Sequence, residues 1–141
     1  MFIKIVLFLL LALSLSSCVM ISEARLDEVY PYRAMIGKKF IILDDCVLIY
    51  NKPFPILDPM ASRGDRYLVT KEIPPLSEFE IIHVDFIENM NIRGIRYQVE
   101  VITPDKEHIN VYLGIGFFHI VTLNNSDALP EFKAKIIKEF K

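Results

Sequence analysis

His83 and Asp85 stand two apart in Ile82-His83-Val84-Asp85, so on a strand their side chains share a face. A histidine beside a carboxylate can act as a general base, and a small hydrolase using this pair is one reading of the chain. The more ordinary account is a solvated pair on the polar face of a strand. His119, inside Phe117-Phe118-His119-Ile120-Val121, reads as a strand residue rather than a ligand. No two histidines or cysteines stand at a metal-ligand spacing, and Asp44-Asp45 lacks the calcium-loop pattern. No metal and no cofactor is therefore expected. Cys46 opens the apolar run Cys46-Val47-Leu48-Ile49-Tyr50, a setting that raises a thiol pKa and makes it inert. Beyond the first seventeen residues the serines are Ser22, Ser62, Ser77 and Ser126, none in a nucleophile elbow. Gly114-Ile115-Gly116 is too short for a phosphate loop, and Arg63-Gly64-Asp65 is ordinary turn chemistry. The expectation is a protein that is not an enzyme.

The segment Tyr50 to Tyr67 is more informative. It combines Tyr50, Phe54 and Tyr67 with Pro53, Pro55 and Pro59. Long irregular loops in compact domains usually carry function, and aromatics with prolines can line a groove for a partner. Tyr50, Phe54 and Tyr67 are the candidate partner-binding residues. In the alternative, Phe54, Ile56 and Leu57 plug one end of the core.

The strongest signal lies at the start. After Lys4 comes Ile5 to Leu13, an unbroken apolar run, and then a small, polar exit at Ser14 to Ser17. A basic start, a short apolar run and a small-residue exit mark a secretory signal peptide. The run is about half the ~20 residues needed to span a bilayer. The exit reads Leu15-Ser16-Ser17-Cys18. It resembles the lipobox of bacterial lipoproteins: an aliphatic residue, two small residues and an obligatory cysteine. The resemblance implies a diacylglyceryl group on the Cys18 thiol, cleavage before Cys18, and frequent acylation of the new amine. Two acyl chains suffice for stable anchoring. Val19 follows the cysteine. In enterobacterial lipoproteins an Asp there commonly retains the protein at the inner membrane, so its absence favours the outer membrane of a diderm host.

The rest of the composition agrees with an exported single domain. The chain has 141 residues, 52% hydrophobic and 24% charged, with a net charge of −2. Such a chain is too short for several domains and too apolar for disorder. Its charge gives no general attraction for nucleic acid. With Cys18 lipidated, Cys46 is left without a disulfide partner, and the core must be held by packing alone.

These residues need elements to position them. Residues 1–17 read as signal peptide and 18–36 as a lipidated tether. Ser22 to Glu28 could make two helical turns. Residues 37–141 read as one β-rich domain. Its expected strands are Lys39–Leu43, Cys46–Tyr50, Arg66–Ile73, Glu78–Glu88, Ile95–Ile102, His108–Leu113 and Phe117–Leu123, with Asn51–Asp65 as an irregular loop. In Glu78–Glu88 the apolar positions change face after Ile81, as a β-bulge would produce. Leu129, Phe132, Ile136 and Phe140 fall at helical spacing, predicting a C-terminal helix over 128–140. The expected fold is a small antiparallel barrel or curled sheet closed by that helix.

The order of elements from Lys39 to Leu113 is similar to that of bacterial SH3-like domains, with Pro74 to Val84 as the turn and first strand of a second sheet. Leu76-Ser77 stands where that family usually has glycine. The resemblance implies a ligand groove between the Asn51–Asp65 loop and the later hairpin turns. Together these readings give a membrane-anchored envelope lipoprotein that binds another envelope protein or peptidoglycan. An inhibitor or immunity-type lipoprotein, blocking a toxin or a wall-cleaving enzyme, is the alternative.

Overall fold

A computed structural model describes residues 22–59, 68–88, 93–119 and 129–140. Among them the chain is mainly β. The strands are β1 (Ser22–Arg25), β2 (Lys39–Ile42), β3 (Cys46–Ile49), β4 (Ile56–Pro59), β5 (Val69–Ile73), β6 (Glu78–Glu88), β7 (Arg93–Ile102), β8 (His108–Leu113) and β9 (Ile137–Glu139). They form one open sheet in the order β5-β3-β4-β8-β7-β6-β2-β9, and β1 pairs with β6 beside that path. Of the two expected forms, barrel or curled sheet, the closed barrel is thus excluded by an open sheet. Its pairing is not wholly antiparallel either, because β4 runs parallel to β8 through Ile56↔Tyr112 and Leu57↔Leu113.

The longest strands follow the sequence pattern closely. β6 and β7 pair from Glu78↔Ile102 to Glu88↔Arg93, and the register shifts between Ile81 and His83. That is the bulge the change of face predicted. It lets Phe79, Ile81 and Val84 all enter the core at 0–1% exposure. On β7, Tyr97, Val99 and Val101 point inward as their alternation requires.

The inner face of the sheet gathers Phe40, Phe79, Val99, Val111, Phe117 and Phe118 into one core. An aromatic chain crosses it. Phe40 stacks on Phe79 at 5.1 Å and meets Phe132 at 4.8 Å, and Phe132 stacks on Phe118 at 4.7 Å.

Three local expectations are corrected. The first is the C-terminal helix over 128–140. From 129 onward the described chain is extended around one turn: Phe132 bridges Phe118, and β9 pairs with β2. The apolar spacing was real, but a dozen residues make only a marginal helix in water. The open edge of β2 offers backbone bonds instead. Leu43 N–H donates to Ile136 O at 2.7 Å and Phe140 N–H to Lys39 O at 2.9 Å. Ile137, off the predicted stripe, is the buried residue, while Phe140 is exposed.

The second correction concerns the tether. From Ser22 onward it is docked, not free. β1 pairs with β6 from Ser22↔Glu88 to Arg25↔Asp85 where a helix was expected. Met35 then enters the core, and Gly37 N–H donates to Ile81 O. β2 covers only the first residues of β6, so the remaining edge of that long strand is satisfied by β1.

The third correction falls on the irregular loop. Ile56–Pro59 is a strand between β3 and β8, and Pro59 ends it where no further N–H is needed. The strand expected over Phe117–Leu123 begins instead as a 3-10 turn at Ile115–Phe117, followed by the Phe118 bridge. Residues 120–123 lie outside the described residues.

Candidate functional site

Directly paired residues of neighbouring strands share a face, so the register of the sheet dictates what gathers on its outer side. Arg25, Asp85 and Arg96 stand in one row across β1, β6 and β7, and Glu23, Ile87 and Gly94 in the next. Gln98, Tyr112 and Ile56 form a third row across β7, β8 and β4. The rows border a groove of about 590 Å³, within the usual range for a ligand site. Its near wall is Glu23 with Ile87 and Gly94, and its far wall is Asn51 to Pro53 with Ile56. Tyr112, Gly114 and Ile115 lie between them.

The groove is organised around Arg96. Its guanidinium lies 4.2 Å over the Tyr112 ring, a cation–π contact. Its Nη2 is 3.5 Å from Asp85 Oδ2 and 3.7 Å from Glu23 Oε1. Among the described residues Arg96 Nε is buried without a hydrogen-bond partner. Burial raises the Tyr112 phenol above its ordinary pKa, with Arg96 opposing in part. Phe54 meets Tyr112 edge-on at 5.5 Å. At the base, Asp58 accepts the Gly116 N–H at 3.1 Å. Gly114 is required there, because a Cβ would stand 2.7 Å from Leu57 O and from the Asp58 carboxyl carbon.

The His83–Asp85 pair is not brought together as a dyad. Both lie on the outer face, but Asp85 meets Arg25 Nε at 3.2 Å as well as Arg96. His83 Nδ1 lies 2.8 Å from Asp27 Oδ2 and 2.8 Å from Arg25 Nη1. One nitrogen can donate to the carboxylate or accept from the guanidinium, not both at once. Asp27 also accepts the Val84 N–H at 2.8 Å. Burial acts to raise the Asp27 pKa, but the Val84 bond, His83 and Arg25 outweigh it and hold the carboxyl below its usual range. This cluster pins the segment after β1 to β6. Among the described residues no Ser, Thr or Cys side chain is hydrogen-bonded to His83.

The remaining candidates separate clearly. Cys46 is fully buried, its Sγ 3.6 Å from Asp44 O, and burial pushes the thiol up to about 12. His108 pairs with Glu100 at 3.1 Å on the surface, and His119 donates its backbone N–H to Glu131 O. Of the predicted partner-binding residues, Tyr50 is exposed at 59%, Phe54 packs on the groove's Tyr112, and Tyr67 lies outside the described residues. Cys18 and the lipobox also lie outside them. Among the described residues no group of three His, Cys, Asp or Glu side chains could hold a metal, and no helix is long and apolar enough to cross a membrane.

Sequence reasoning singled out the segment that supplies the wall of Asn51 to Pro53 with Ile56, but Tyr50 and Phe54 themselves are not among the lining residues, and the opposite wall was missed. Glu23 sat in the expected tether and Arg96 among outward polar residues of a clean alternation. The available signal was the outward polar series Arg96-Gln98-Glu100 on β7, whose Arg96 pairs with Asp85 on β6. No protein-family model, no curated protein and no solved structure matches this chain.

Proposed function

We propose that the chain is an envelope lipoprotein held to a membrane by lipid on Cys18, and that its domain is a non-catalytic binding module with the outer-face groove as its ligand site. The observation that carries this reading is the junction Leu15-Ser16-Ser17-Cys18 directly after a short apolar run. Val19 after the cysteine favours the outer membrane of a diderm host. The state of the reactive side chains supports a binding role. His83 is engaged by Asp27 and Arg25, and the Cys46 thiol is buried. The groove meanwhile joins an apolar floor to a few placed charges, the usual composition of a binding site. Peptidoglycan was suggested only through the SH3-like resemblance, and the open sheet with its parallel β4–β8 pair lends that resemblance no support.

The test is metabolic labelling of cells with an alkyne fatty acid, followed by intact mass of the purified chain and membrane fractionation. The expected result is cleavage before Cys18, a diacylglyceryl mass on its thiol, and loss of both label and membrane attachment in Cys18→Ala. An unlabelled wild-type chain, or a Cys18→Ala chain that stays labelled, overturns the assignment.

A further inference from the structure

We propose that the groove holds an acyl chain of a lipid from the bilayer to which Cys18 is anchored; this deepens the binding reading and rests on the lipidation of Cys18. Three observations carry it. The first is the shortness of the link. β1 is docked on β6 from Ser22, and Glu23, one residue further, is part of the groove wall. Cys18 precedes Glu23 by five residues, which reach at most about 18 Å when fully extended. The groove therefore opens within that distance of the lipidated residue. A free tether over 18–36 would have allowed the domain to stand well away.

The second observation is the lining. Pro53, Ile56, Ile87, Tyr112 and Ile115 give the groove an apolar stretch, with the Asp58 carboxylate at its base turned to the Gly116 N–H, and its volume of about 590 Å³ is that of a small-molecule site. The third is the rim. Ile115 borders the groove and is 66% exposed. A large aliphatic side chain in that position is out of place in water and suits the boundary between headgroups and acyl chains. Lys52 and Arg96 border the same groove, so a lipid phosphate can meet positive charge while its acyl chain lies along the floor. The Glu23 and Asp85 carboxylates lie beside Arg96, which places Lys52 as the cation for the phosphate.

Gly94 provides a clean way to test this. A Cβ there meets nothing within 4 Å, and Gly94 borders the groove. Gly94→Phe should thus place a ring in the channel, and Gly94→Ala, whose Cβ meets nothing, serves as the folding control that leaves the channel open. Native lipidated protein would be reconstituted in phosphatidylethanolamine and phosphatidylglycerol vesicles containing a phosphatidylglycerol with a diazirine in one acyl chain. After irradiation, adducts would be mapped by peptide mass. A second arm irradiates the Cys18→Ala chain with a soluble diazirine fatty acid. A third uses protein whose own anchor carries the diazirine, in unlabelled vesicles.

The expected result is adducts on Ile56, Tyr112 and Ile115 in the first two arms, lost in Gly94→Phe, with none at the exposed but distant Leu76. Absence of groove adducts from both the first and second arms overturns the proposal. Adducts in the second arm alone, or in the third in place of the first, overturn the bilayer lipid as the source. The mass of the Cys18 peptide is read separately, so a failure of lipidation is not confused with an empty groove.

Discussion

Removing the carboxylate of Asp27 should loosen the attachment of the N-terminal segment to β6 and destabilise the whole domain. Asp27 Oδ1 accepts the N–H of Val84, a residue with no exposed surface, and Oδ2 meets His83. A hydrogen bond to a charged acceptor contributes about 1.5–3 kcal/mol. The partly exposed contacts to His83 and Arg25 add roughly 0.5 kcal/mol together. Asp27→Ala should therefore cost about 2–3.5 kcal/mol in urea unfolding, or roughly 10 °C in Tm for a domain of this size. The pH dependence follows from the direction of the shift. The folded pKa of Asp27 lies below its ordinary 3.8, so its contribution is complete above that value and is lost as pH falls through the folded pKa. The penalty of Asp27→Ala should be full at neutral pH and shrink below about pH 4. Asp27→Asn keeps an oxygen for Val84 and should cost less. Hydrogen exchange of the Val84 amide reports the same bond directly. A penalty under about 0.5 kcal/mol, as for an ordinary surface site, or one that grows on acidification, would refute the assignment of Asp27 as the pin.

Gly114→Ala should cost about 1–3 kcal/mol in the same assay, because its Cβ meets the Leu57 carbonyl and Asp58 at 2.7 Å and must push β4 from β8. Tyr112→Leu removes the ring beneath Arg96 and beside Phe54; a loss of about 1 kcal/mol is expected, with weaker ligand binding in the groove. Cys46 should resist alkylation at pH 8 in the folded protein and react promptly in denaturant, since burial holds its pKa up to about 12; fast labelling of folded protein would contradict its place in the core. Leu76 has φ of 70° and is 71% exposed, so Leu76→Asn should raise stability by about 0.5–1 kcal/mol; an unchanged or lower unfolding midpoint would remove the strain argument.

The sequence by itself determined the local features whose cause is local. The lipobox, on four adjacent residues outside the described ones, stays an expectation. β7 follows from the alternation of Tyr97, Val99 and Val101, and the β6 bulge from the change of face after Ile81. The inert setting of Cys46 follows from its apolar neighbours.

What only the tertiary structure decided was the fate of unpaired strand edges. A strand edge either pairs with another segment or leaves its donors and acceptors to water, and nothing in a segment's own pattern says which distant edge it will meet. β1 formed from Ser22-Glu23-Ala24-Arg25, residues of poor strand propensity, because β6 extends beyond β2. The C-terminal segment carried a helical spacing yet became β9, because β2 had an open edge and Phe40 and Phe118 had room for Phe132. The groove was not legible as a site for the same reason: the sequence pointed only to the segment that holds Asn51 to Pro53. Glu23, Asp85 and Arg96 come from three strands separated in sequence, and the register of β1 on β6 and β6 on β7 is what sets them side by side.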